Sequence, residues 1–118
     1  MDYGDAVKAY LLEIQTFPPL TKDEEIDLSQ HLRAQDRQAE PAGKRLIEAN
    51  LLLVVSIAER YRDAGMNMMD LIQKGNDGLL LALNTFVASS SDSFSIHAAT
   101  CIDDAISAAI ANSGTTRE

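Results

Sequence analysis

The chain has 118 residues, 46% of them apolar and 24% charged, with a formal net charge of −8 and a single cysteine. That length suits one domain able to bury a core without staples, and the lone Cys101 excludes an internal disulfide or a cysteine-based zinc site. The acidic balance opposes nonspecific attraction to nucleic acid or anionic lipid and favours a protein partner. No apolar run approaches the length of a membrane span, and Met1 to Tyr10 lacks the order of a signal peptide, so the expectation is a cytoplasmic protein with no membrane role.

Taken in order, the chain reads as all-α. Asp5 can cap a first helix whose face is Val7, Tyr10, Leu11 and Ile14, and Pro18 and Pro19 stop it near Phe17. Thr21 with Glu24 spells a capping box for a second helix that turns Ile26, Ser29 and Leu32 to the core. Its first turn, Asp23 to Glu25, is acidic as the helix dipole favours. Asp36 to Gly43 loses period, and Pro41 and Gly43 there read as a loop or a helix start.

From Arg45 to Ala82 the apolar periodicity is densest. Leu46, Leu53, Val54, Ile57, Ala58 and Tyr61 make one stripe along a helix that Gly65 ends. Asn67 can cap the next helix, whose stripe is Leu71, Ile72, Leu79 and Leu83, so the pair forms an antiparallel hairpin with Met66, Met68 and Met69 filling its turn end. Leu53, Ile57, Ile72 and Leu79 are expected to be buried together. Val87 to Ser93 reads as a serine-rich loop, and Ser95 can cap a last helix carrying Ile96, Ala99, Ile102, Ile106, Ala109 and Ile110. That helix is small-faced and should pack close, and Gly114 to Glu118 reads as a frayed terminus. There is no strand-period run of useful length and no internal repeat.

The chemistry is mostly negative. Asp103 and Asp104 are adjacent, hence about 100 degrees apart on a helix, and cannot flank one bond; they read as a solvated face. His97 and Cys101 are four apart and can share a helix face, but nothing supplies further ligands or an orienting carboxylate. His31 reads as a surface residue. Gly75 and Gly78 lie inside a helical period rather than after a strand, so no phosphate loop is implied. No catalytic constellation, metal site, cofactor or small-molecule substrate is expected.

The run RLIEANLLLVVSIAERYRDAG followed by DLIQKGNDGLLLA resembles regions 2.1 and 2.2 of housekeeping-type bacterial sigma factors, the promoter-recognition subunits of RNA polymerase. DAVKAYLLEIQTFPPLTKDEEIDLSQHL is similar to region 1.2 of the same family. The resemblance covers Asp5 to about Ile106 and is gapless from Arg45, with a slightly longer Asp36 to Lys44 connection. It implies a compact helical bundle spanning 1–118: 5–35 like region 1.2, 45–86 like the region 2.1/2.2 hairpin, and 87–113 like regions 2.3 and 2.4.

For function, the resemblance implies two faces. One docks on the clamp helices of the polymerase's largest subunit, through positions that are here Asp70, Gln73, Lys74, Asn76 and Leu80. Lys74 departs from the family's glutamate, and a charge reversed in a docked interface costs several kcal/mol where it meets a like charge. The other face grips melted promoter DNA through aromatic and basic groups. Those positions are here Ala88, Ser89, Ser90, Ser93 and His97, with Thr100 and Cys101 in place of two tryptophans and Asp103 and Asp104 in place of an arginine and a glutamine. Between Lys74 and Arg117 there is no Lys or Arg. Stacking contributes about 1–3 kcal/mol per base and each phosphate contact adds counterion release, so weak or absent DNA binding is expected. The leading expectation is a sigma-like protein that works by protein contacts, on the polymerase clamp or on an anti-sigma-type regulator. The alternative is a genuine sigma factor piece that binds promoter DNA in initiation.

Overall fold

The computed structural model describes residues 4–88 and 93–115. Among the described residues six α-helices follow one another, α1 (Asp5–Ile14), α2 (Lys22–Ala34), α3 (Ala39–Ala49), α4 (Leu51–Glu59), α5 (Met68–Thr85) and α6 (Phe94–Thr115), with one 3₁₀ turn at Phe86–Ala88. No strand occurs among the described residues, so the bundle is all-α.

Local chemistry accounts for most helix ends. Thr21 accepts from the Glu24 backbone N–H and Glu24 accepts in return from the Thr21 N–H, at 3.1 and 2.8 Å, so the capping box at the head of α2 is complete. Asn67 Oδ1 accepts from the Asp70 N–H at 2.9 Å and opens α5. Two caps differ from the sequence expectation. Gly4, at φ 83°, precedes α1, with Asp5 already in the first turn, where its charge meets the positive end of the dipole. At α6 the cap is Ser93 rather than Ser95: Ser93 Oγ accepts from the Ile96 N–H, while the Ser95 N–H donates at 3.0 Å to the Glu25 carboxylate of α2.

The stripe from Leu46 to Tyr61 lies on two helices, not one. At Asn50 the side-chain Nδ2 donates to the Leu46 carbonyl at 2.7 Å and takes the acceptor that an unbroken helix would give to the Asn50 N–H. That N–H bonds Ile47 instead, and φ moves to −109°. The break turns Val55 into the core and leaves Leu53 only half-buried beside it, whereas Val54, Ile57 and Ala58 are buried as the period implies. The helix ends at Glu59 rather than at Gly65. Tighter three-residue bonds carry the chain to Ala64, and Gly65 reverses it at φ 98°, a conformation that strains side-chain-bearing residues. Asp36 to Gly43 is a helix start, since α3 begins at Ala39.

The core joins Val7 and Ile14 of α1, Leu32 of α2, Leu46 of α3, the α4 residues above, Leu71, Ile72, Leu79 and Ala82 of α5, and Phe94, Ala98, Ile102 and Ile106 of α6. Phe86 and Phe94 meet edge to face at 5.6 Å, and the Arg33 guanidinium lies 4.1 Å from the Phe86 ring centre. Ile26, assigned to the core, points outward and is 40% exposed, and Ile96, read as part of the apolar set of the last helix, is 66% exposed.

The most extensive helix pair is α5 with α6. A Cβ on Gly78 would stand 2.6 Å from the Cys101 carbonyl oxygen, and one on Gly75 2.6 Å from Val54 Cγ1. The two glycines therefore let neighbouring elements reach the α5 backbone, a role the sequence did not reveal. By length and composition alone Phe94–Ser113 could cross a membrane, contrary to the reading that no stretch comes near that limit. Here it is a domain helix, with Phe94, Ala98, Ile102 and Ile106 fully buried in the bundle core and two carboxylates at mid-length. It also runs through Gly114 and Thr115, part of the segment read as frayed; residues 116–118 of that segment lie outside the described residues.

Candidate functional site

Because Leu71, Ile72, Gly75, Gly78, Leu79 and Ala82 face inward, the 3.6-residue period puts Asp70, Gln73, Lys74 and Asp77 on the opposite side of α5. All four are exposed, as are Leu80 (53%) and Leu81 (54%). The outer side of α5 is thus polar at its N-terminal half and apolar one turn further on. Asn76 stands apart from this row. It is half-buried and donates through Nδ2 to the Tyr10 hydroxyl of α1 at 3.3 Å, while its Oδ1 is buried without a partner among the described residues. Tyr10 is 66 residues away in sequence, and no local pattern announces the contact.

The start of α6 brings together several positions singled out on the second face. The Thr85 hydroxyl donates to the Leu81 carbonyl at 2.9 Å, so its lone pair is left to accept from His97 Nε2 at 2.8 Å. Cys101 Sγ lies 3.7 Å from the same nitrogen, and the His97 ring lies 6.0 Å from that of Phe86. Partial burial pushes the Cys101 thiol above its ordinary pKa, and the charge of Asp104 adds to this against the opposing Thr85 contact. Cys101 is thereby held as a neutral thiol, the opposite of an activated nucleophile. Among the described residues no group of His, Cys, Asp and Glu is placed to hold a metal ion.

Asp103 does not belong to a freely solvated face as expected. It is half-buried and accepts from the Tyr61 hydroxyl at 2.5 Å, with Ser107 Oγ 3.1 Å from the same hydroxyl, so it ties the end of α4 to α6. Asp104 and Thr100 are exposed. Ser93 caps α6 and its Oγ also lies 3.3 Å from Glu25 Oε1, so α2 carries a carboxylate to the α6 N-terminus. Ala88 closes the 3₁₀ turn, whereas Ser89 and Ser90 lie outside the described residues.

His31 of α2 meets Asp36 at 2.7 Å and Asp27 at 3.9 Å. The hydrogen bond to Asp36 raises the His31 pKa above its usual value, and the same contact lowers that of Asp36. This pair clasps the α2 C-terminus, where Gln35 takes a left-handed turn at φ 54°.

Two family models match the chain. The sigma-70 region 2 family model matches residues 46–115, and the sigma-70 factor region 1.2 model matches residues 5–38. The RNA polymerase sigma factor SigA of Clostridium acetobutylicum is 47% identical over 112 residues, covering 95% of this chain and 29% of that protein. Its namesake in Lactococcus lactis subsp. cremoris is 45% identical over 112 residues, 95% of this chain and 31% of that protein. The Listeria monocytogenes protein of the same name is 46% identical over 113 residues, covering 96% and 29%. The chain therefore spans under a third of the length of these relatives.

Proposed function

Because the chain belongs to the sigma-70 family, as the match of region 2 to residues 46–115 establishes, we propose that it acts in transcription through protein contacts and does not melt promoter DNA. The relatives named above are sigma factors of RNA polymerase, and the proposed partner is the polymerase core, met at its clamp helices by the outer side of α5. A regulator that normally sequesters sigma factors is the other partner of this kind. Either would be met in the cytoplasm.

The observation that carries this reading is charge. From Gly75 to Thr116 there is no Lys or Arg, and at the family's base-stacking and phosphate-gripping positions stand Thr100, Cys101, Asp103 and Asp104. His97, Cys101 and Asp103, each half-buried, are in addition engaged within the protein: His97 with Thr85 and Cys101, and Asp103 with Tyr61. A strand of phosphates would meet no Lys or Arg of α6 there and lose that part of the counterion-release term that drives such binding. On α5, by contrast, Asp70, Gln73, Lys74 and Leu80 remain exposed and in the family's register.

Lys74 tests the docking face. Against a basic clamp surface, Lys74→Glu relieves repulsion and should tighten binding to core polymerase, measured by competition with a housekeeping sigma factor. An acidic partner would be lost by the same change, and an unchanged affinity for both polymerase and regulator would show that α5 is not the interface. The reading as a promoter-binding initiation factor draws on the 45–47% identity to sigma factors. Fluorescence anisotropy on a single-stranded promoter segment separates the two: submicromolar, salt-sensitive binding supports initiation and overturns the protein-contact reading.

A further inference from the structure

The outer side of α6 is a surface that the bundle does not use, mixed in character, with Ile96 as its exposed large apolar side chain among the described residues. The Phe94–Ser113 stretch is apolar in composition, yet most of its residues lie outside the core. Ile96, Thr100, Asp104 and Ala108, four residues apart, are all exposed, and Ala111 continues the row. Small side chains here let another helix approach closely. Charge on this side has a single sign: Asp104 is exposed, Asp103 is half-buried beside it, and α6 has no Lys or Arg.

At its N-terminal end the row runs into a groove of about 620 Å³ between the heads of α2 and α6 and the α3–α4 break. Its apolar wall is Leu20, Ile26, Ala49 and Ile96. Lys22 and Glu25 bring one charge of each sign to this groove and offset each other, so selection by charge is exerted further along, at Asp104. A volume of this order takes a few side chains rather than a whole helix.

We propose that α6 and this groove form a second docking surface, whose occupant is a basic amphipathic helix of a protein partner. A large apolar side chain of that helix enters between Ile26 and Ile96, and a Lys or Arg reaches Asp104. Seven to eight residues at 1.5 Å per residue put the anchor and the cation about 11–12 Å, or two turns, apart. Net charge of −8 draws such a segment in, and burial of its apolar face retains it. Nothing in this surface involves the outer side of α5, so it can fail without the docking reading for α5 failing, and the reverse.

The probe is a fluorescein-labelled amphipathic peptide of Leu, Ala and Lys about four turns long, with a twin in which Glu replaces Lys. Ile96→Asp decides the matter, because it adds attraction for a cationic peptide while removing the apolar anchor. Docking in the groove predicts at least about ten-fold weaker binding by anisotropy. Purely electrostatic adhesion predicts equal or tighter binding and overturns the proposal. Asp104→Lys should also weaken binding, and Lys74→Glu on α5 should leave it as it was. In methyl NMR spectra the Ile26 and Ile96 signals should move on titration and those of Leu80 should not. Binding of the Glu twin with equal affinity, or dilution-dependent Ile96 signals in the peptide-free protein that reveal a second copy on this face, would each overturn it. Ile96 is 66% exposed, so the variant keeps its fold, checked by an unchanged melting temperature.

Discussion

Replacing Gly78 by alanine sets two effects of opposite sign against each other. Alanine is the better helix former by up to about 1 kcal/mol, and in an exposed helix that gain would be the whole result. At Gly78 the new Cβ would lie 2.6 Å from the Cys101 carbonyl oxygen and 2.9 Å from both the Ile102 Cα and the Ala105 Cβ, two of these three being backbone atoms that cannot turn aside. Ordinary contact begins near 3.4 Å, so α6 must retreat by 3.4 − 2.6 = 0.8 Å. A gap of that size forfeits a quarter to a half of each dispersion contact across the largest helix pair, and overpacking of this kind costs about 1–3 kcal/mol. We expect a net loss of about 2 kcal/mol, or roughly 8 °C in melting temperature, read by circular dichroism at 222 nm in parallel with urea unfolding. Gly43→Ala is the control. Its Cβ would first meet the Leu83 side chain, at 3.3 Å from both δ-methyls, a half-buried group able to turn, so this variant should melt at or above the parent temperature. If Gly78→Ala is as stable as the parent, or if both variants lose equally, the close approach of α6 to the α5 backbone is wrong.

Thr21→Ala removes the acceptor for the Glu24 N–H and should cost about 1 kcal/mol in urea unfolding. Tyr61→Phe removes the hydroxyl that joins Asp103 to the end of α4; a loss of about 1 kcal/mol is expected, and no loss would mean that the contact is idle. The raised His31 pKa makes its contribution to stability full below the ordinary histidine value and lost as pH rises through the folded value. Asp36, with its pKa lowered, contributes above the ordinary carboxylate value and loses this as pH falls. The pair therefore acts between the two ordinary values, and the NMR titration midpoint of His31 should fall in Asp36→Asn; an unmoved midpoint would assign the shift to something other than Asp36.

Local signals were enough for the α2 and α5 caps, the proline stop after α1, the all-helical class and the α5 stripe, because each depends on residues within one or two turns of each other. Spacings of three and four likewise put Asp70, Gln73 and Lys74 in one exposed row, whereas Asn76, expected at its rim, is half-buried; the family resemblance, not local pattern, singled out Leu80 and made the missing cations on α6 legible as a loss. The tertiary structure decided what depends on distant partners. Asn50 breaks a helix that periodicity draws as continuous, since its amide competes for a carbonyl one turn back. Gly75 and Gly78, conformationally unremarkable inside a helix, are small because Val54 and the Cys101 carbonyl come within contact of the α5 backbone. Asn76 is turned toward Tyr10 and Asp103 toward Tyr61, over separations of 66 and 42 residues that no period spans. Ile26 and Ile96 satisfy the apolar period yet face solvent, because a period states only that one side of a helix is apolar, and which part of that side finds a neighbour is fixed by where the other helices end.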